Sequence, residues 1–197
     1  MKTKSNFFPI AVLSLLMVSK SFAAGWENFS NISSTTDALV NNNTLWITAK
    51  GGIIKINQTT GQKTFIHKGE AGLLSSSVEK VLTNALTGDT WIGTYDNGLA
   101  RWNGTSFESY PFPQNMFLTN MRFDHFGKIW MESDLGLFRF DPANGSYTKI
   151  NDAPTNTWTY NAWGYDFLSA SKVAVFNGST SVITDIVTGA VIDSFQN

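Results

Sequence analysis

The sequence predicts an all-β protein of the propeller type, with about four four-stranded antiparallel blades. Three observations lead there. A short pattern of Trp, Gly and a basic residue recurs in register at intervals of about 40 residues. Gly- and Asn-rich turns separate short runs of β-branched and aromatic residues. The composition of the 197 residues is that of a β-rich chain, with 14% aromatic residues, 16 Gly and only 15% charged residues.

The recurring pattern begins with Leu45-Trp46-Ile47-Thr48, followed by Gly51-Gly52-Ile53-Ile54-Lys55-Ile56. It returns as Thr90-Trp91-Ile92-Gly93-Thr94 with Asn97-Gly98-Leu99-Ala100-Arg101-Trp102, and again as Ile129-Trp130-Met131-Glu132 with Leu135-Gly136-Leu137-Phe138-Arg139-Phe140. Each copy reads as two strands joined by a tight turn, because Gly sits where the backbone needs a positive φ. A strand before each Trp and another after a Thr-Gly or Asn-Gly turn complete four strands per unit. A fourth, worn copy carries Ala174 in the Trp slot and no clear basic residue. The blades are expected at residues 35–67, 77–110, 120–150 and 161–195, with a lone outer strand at 26–29.

The N-terminus reads as an export signal. Lys2 and Lys4 precede an apolar run from Phe7 to Val18, and Ser21-Phe22-Ala23 offers small residues for a peptidase. The run is shorter than the roughly 20 residues of a membrane span and is broken by Pro9 and Ser14. Residues 1–23 are therefore expected to be cleaved after Ala23, leaving a periplasmic or secreted chain without a stable membrane anchor.

Charge and composition exclude several function classes. Fourteen Lys and Arg stand against 15 Asp and Glu, which leaves no basic field for a nucleic-acid backbone. The absence of Cys removes disulfides, thiolate metal sites and Cys nucleophiles, and two His are too few for a His-rich site. No spacing suggests a phosphate loop, a calcium loop or a catalytic triad. Neither a catalytic residue nor a metal or cofactor site is expected.

Residues 90–101 carry a family resemblance. Trp91-Ile92-Gly93-Thr94, Asn97-Gly98-Leu99 and Arg101, preceded by Gly72-Leu73 and Ser76-Ser77-Val78, resemble the two-component regulator propeller repeat. The resemblance implies the periplasmic sensor part of a signalling protein, in a short form without transmembrane helix or kinase. It implies a non-catalytic binding module for an oligosaccharide or a protein partner. The alternatives are a polysaccharide-acting propeller lyase or hydrolase, for which Asp96, Glu132 or Asp134 would have to act, and a truncated, inactive sensor fragment.

The repeated Trp residues are expected to pack between blades, and the aligned Lys55, Arg101 and Arg139 to cover apolar surface with their stems. Candidate ligand contacts are the aromatics where blade three meets blade four, Trp158, Tyr160, Trp163 and Tyr165, with Tyr110, Phe112 and Phe117 in the preceding linker. Tyr95, Asp96 and Asp134, in the turns between second and third strands, join them. A lone strand at 26–29 beside a fourth blade with its own outer strand predicts unsatisfied edges. Either an open four-blade arc that associates with another chain or a shortened copy of a larger propeller is expected.

Overall fold

The computed structural model describes residues 34–152, 163–177 and 180–196. The signal segment expected at 1–23, the strand expected at 26–29 and the aromatics Trp158 and Tyr160 lie outside these residues. Among the described residues no helix is long and apolar enough to cross a membrane.

Among the described residues sixteen strands form four antiparallel sheets in strict chain order. Blade 1 contains β1 (Thr35–Asn41), β2 (Thr44–Ala49), β3 (Gly52–Asn57) and β4 (Lys63–Ile66). Blade 2 contains β5 (Val78–Thr83), β6 (Thr90–Thr94), β7 (Gly98–Trp102) and β8 (Phe107–Pro111). Blade 3 contains β9 (Leu118–Phe123), β10 (Ile129–Ser133), β11 (Gly136–Asp141) and β12 (Ser146–Asp152). Blade 4 contains β13 (Trp163–Ser169), β14 (Lys172–Asn177), β15 (Thr180–Asp185) and β16 (Val191–Gln196). The first strands converge, β1 on β5 and β5 on β9, which makes them the inner strands.

The turns explain the recurring small residues. Asn42 and Asn43 take φ of 46° and 59° and close β1 onto β2 in two residues, a conformation Asn tolerates better than most side chains. Gly98 opens β7 at φ 134°, where a Cβ would stand 2.3 Å from the carbonyl oxygen of Tyr110 in the next strand. Gly52 repeats this in blade 1, 2.2 Å from the carbonyl of Ile66. The motif glycine is therefore required twice, by backbone conformation and by the close passage of the outer strand.

Packing runs from each blade to the next. Trp46 joins Val81, Ile92 and Ala100 of blade 2 in one cluster, and Trp91 joins Met121 and Met131 of blade 3 in another. Trp130 joins Tyr165, Val173 and Val175 of blade 4 in the third. All three indoles are buried. Gly93, inside β6, makes room for this contact, since a Cβ there would lie 2.5 Å from Leu118 of blade 3.

The basic residue of the motif sits across the strand pair from its Trp: Lys55 from Trp46, Arg101 from Trp91 and Arg139 from Trp130. The Lys55 ammonium lies 3.7 Å from the ring centre of Trp102 and 4.8 Å from that of Trp46. Arg139 lies 5.9 Å from the ring centre of Trp130. These cations cover indole faces with stem and head, as amphipathic side chains do.

Candidate functional site

The interface of blades 2 and 3 opens at its inner end into a cleft of about 390 Å³. Its rim is aromatic. Tyr95, in the turn between β6 and β7, stacks on Phe117, in the segment entering β9, with ring centres 4.9 Å apart and planes 14° from parallel. Phe117 remains 45% exposed, so one face of the pair is open to a ligand.

Backbone hydrogen bonds lock this rim in place. Leu118 N–H donates to the Tyr95 carbonyl at 2.7 Å, and Tyr95 N–H donates to the Ser77 carbonyl at 2.7 Å. Asp134, in the turn between β10 and β11, accepts the Phe117 N–H on Oδ1 at 2.7 Å and returns its own N–H to the Phe117 carbonyl at 3.2 Å. One turn of blade 3 thus clamps the stacked ring at its backbone.

The wall is polar and comes from the inner strands β5 and β9 and from the end of β10. Lys80 of β5, Thr119 and Asn120 of β9, and Glu132 and Ser133 of β10 line it. Lys80 Nζ lies 3.9 Å from Asp37 Oδ2, so blade 1 contributes charge to the same inner surface. Burial raises the Glu132 carboxyl above the usual glutamate range. Hydrogen bonds from the Tyr165 backbone and the Asn120 side chain, and the cations Arg122 and Lys80, oppose that rise. The cleft therefore pairs a stacking surface with hydrogen-bond donors and acceptors and a partly desolvated carboxyl, the composition of a site for a hydroxylated ligand.

The expected site residues divide between this cleft and the core. Tyr95 and Asp134 meet in the cleft, together with Phe117. Asp96, next to Tyr95 in the same turn, is exposed and does not line it. Tyr110 stacks on Trp91 at 5.4 Å and meets Phe140 edge-on, which places it in the packing between blades 2 and 3. Tyr165 is only 5% exposed, and its hydroxyl donates to the Trp130 carbonyl at 3.1 Å. Burial raises that phenol further above its ordinary value, and the ring serves the contact between blades 3 and 4. Phe112 packs edge-on against Tyr147. Trp163 opens β13 with its backbone, and its side chain lies outside the described set. Sequence reading missed Lys80, Thr119 and Asn120. Their one signal was polar character at inner-strand positions, which has no meaning until the strands are arranged around an axis.

Solved structures share this architecture. The extracellular domain of the one-component system BT4673 from B. thetaiotaomicron superimposes with a TM-score of 0.64 at 18% identity, covering 80% of this chain and 22% of that one. The extracellular domain of the hybrid two-component system BT3049 from the same organism gives 0.60 at 18% identity, over 80% of this chain and 24% of that one. Virginiamycin B lyase from Staphylococcus aureus gives 0.63 at 15% identity, over 85% and 58%. The fold is a β-propeller fold. This chain spans under a quarter of the length of the two sensor domains, and no family model or curated protein matches it. The resemblance read from the repeat motif thus meets its counterpart in sensor propellers of the same architecture. Because a lyase shares it as well, function has to be argued from the site.

Proposed function

We propose that the chain is an extracytoplasmic, non-catalytic binding module of the sensor-propeller kind, and that the cleft between blades 2 and 3 holds a hydroxylated ligand such as the end of an oligosaccharide. The observation that carries this reading is the Tyr95–Phe117 stack at the rim of a polar cleft. A sugar ring placed on Phe117 buries apolar C–H surface, while Lys80, Asn120 and Glu132 stand where ring hydroxyls need partners. The sensor domains that share the fold support the functional class.

Isothermal titration of the purified chain against a panel of neutral and acidic oligosaccharides tests the proposal. Binding that is lost in Phe117→Ala and weakened about tenfold or more in Glu132→Gln, with folding intact, is the expected result. No heat with any oligosaccharide, in a preparation shown to be folded, sinks the oligosaccharide reading.

The second reading is a polysaccharide lyase or hydrolase. It draws on the raised Glu132 carboxyl beside Lys80 and on the lyase that shares the fold. Turnover of a polysaccharide that disappears in Glu132→Gln would replace the binding reading with this one.

A further inference from the structure

Blade 2 shows how the cation of the repeat is neutralised. Arg101 Nη2 donates to Glu108 Oε2 at 2.7 Å, and Arg101 Nη1 lies 3.8 Å from Asp89 Oδ2. Glu108 is the partner of Arg101 across β7 and β8, and Asp89 comes two residues before Trp91. In blade 3 the guanidinium of Arg139 is satisfied differently, by donating to the Ile186 carbonyl of blade 4.

Blade 1 has neither arrangement. The residue paired with Lys55 across β3 and β4 is Thr64, and the residue two before Trp46 is Thr44, so hydroxyls stand where blade 2 has its two carboxylates. Among the described residues the Lys55 ammonium makes no ion pair and no hydrogen bond. Its contacts are the indole faces of Trp102 and Trp46, at 3.7 and 4.8 Å from the ring centres. Burial lowers its pKa from the ordinary lysine value, with no counter-ion to oppose the fall.

This ammonium lines a groove of about 320 Å³ between blades 1 and 2. Asn42 of the turn between β1 and β2, Gly88 before β6, and Asn103 and Gly104 of the turn between β7 and β8 surround it, at the opposite end of the blades from the cleft at Tyr95 and Phe117. Asn41 holds the two walls together, since its Nδ2 donates to the Gly88 carbonyl at 2.8 Å and to Thr90 Oγ1 at 2.9 Å. Among the described residues Asp89 is the one carboxylate in the lining, and it is already engaged, by the Thr87 hydroxyl at 2.9 Å and by Arg101.

We propose that this groove binds a small carboxylate, whose oxygens take at Lys55 the place that Glu108 takes at Arg101. A cation resting on indole faces keeps its charge, and a hydrogen bond from it to a carboxylate is about twice as strong as one between neutral groups. Thr44, also in the lining, adds a hydroxyl donor. The site shares no residue with the cleft between blades 2 and 3 and does not depend on what that cleft binds.

Thermal melts and Trp fluorescence of the purified full chain, titrated with acetate, benzoate and galacturonate at constant ionic strength, test this. At least one of the three should raise the melting temperature saturably, with a dissociation constant of about 1 mM or tighter. Lys55→Gln should remove the effect. Thr64→Glu places a carboxylate opposite Lys55, as in blade 2, at an exposed position that tolerates it, and should weaken binding of the same carboxylate at least about tenfold. Thr64→Gln, which adds the same bulk without charge, should leave the affinity within about twofold. Should Lys55→Gln misfold, the two Thr64 variants carry the test. No saturable response from any of the three up to about 50 mM overturns the proposal. So does binding that is indifferent to Thr64→Glu, or inorganic phosphate that binds as tightly as the carboxylate.

Discussion

The indole N–H of Trp130 donates a 2.9 Å hydrogen bond to Oδ2 of Asp124, the residue that also builds the turn between β9 and β10. Oδ1 of the same carboxylate accepts the N–H groups of Phe126 and Lys128, each at 2.9 Å. One nearly buried side chain thus ties the turn to the ring that holds blade 3 on blade 4.

Asp124→Ala is therefore expected to destabilise the fold by about 2–4 kcal/mol, since it strands a buried indole N–H and unties two backbone donors. Urea denaturation followed by Trp fluorescence measures the loss. A change below about 0.5 kcal/mol would show that water replaces the carboxylate at little cost.

At the third-strand glycine the expected failure is steric. Gly98→Ala combines a φ of 134° with a Cβ placed 2.3 Å from the Tyr110 carbonyl oxygen, and neither backbone can yield without breaking the pairing of β7 with β8. Gly61→Ala, at φ 70° with nothing within 4 Å, is the control for backbone conformation alone. Gly98→Ala should cost several kcal/mol and Gly61→Ala about 1 kcal/mol, compared by thermal denaturation.

The Glu132 carboxyl sets a pH dependence with a definite sign. Burial raises its folded-state value, so between the ordinary glutamate value and the raised one the folded chain holds more protons than the unfolded chain. Stability from this group is full below that window and is lost as pH rises through it. Glu132→Gln should flatten that part of the curve in a series of melts that begins at the ordinary glutamate value and runs upward in pH. An unchanged slope in the variant would mean that Glu132 titrates as it does in the unfolded chain.

For the rim, the expectation separates binding from stability. Phe117 is stacked on Tyr95 but nearly half exposed, and its backbone is held by Asp134 whatever the side chain. Phe117→Ser should lower stability by no more than about 1 kcal/mol while reducing oligosaccharide affinity about tenfold or more. Equal losses in both measurements would reduce the stack to a packing role.

Asp134→Ala probes the same rim through its backbone clamp. Losing the bond to Phe117 N–H should loosen ligand binding without touching the stacked rings themselves. Titration calorimetry on this variant beside Phe117→Ser distinguishes a positioning carboxylate from one that contacts the ligand, because only the latter responds to ligand charge.

Much of this architecture was legible in the chain of residues. Trp46, Trp91 and Trp130 mark second strands, Gly52, Gly98 and Gly136 the turns into third strands, and Lys55, Arg101 and Arg139 the cations across the hairpin from each Trp, of which Lys55 and Arg139 lie over indole faces. All of these signals are local: alternation of side chains along a strand, a positive φ at a tight turn, and a pair across one hairpin. Even the worn fourth copy could be placed, because its turns survive where its Trp does not.

The tertiary structure alone decided what these repeated units do for one another. Tyr110 and Tyr165 have the same residue type and strand setting as a ligand stacker, yet one lies between blades 2 and 3 and the other between blades 3 and 4. The cleft draws Lys80, Tyr95, Phe117 and Glu132 from two blades and the segment between them. Blade-to-blade packing is non-directional hydrophobic burial, so a strand's pattern states which residues need cover without stating which neighbour covers them. That choice is made only when the inner strands converge on a common axis, and it is there that the polar end of the interface between blades 2 and 3 stays open.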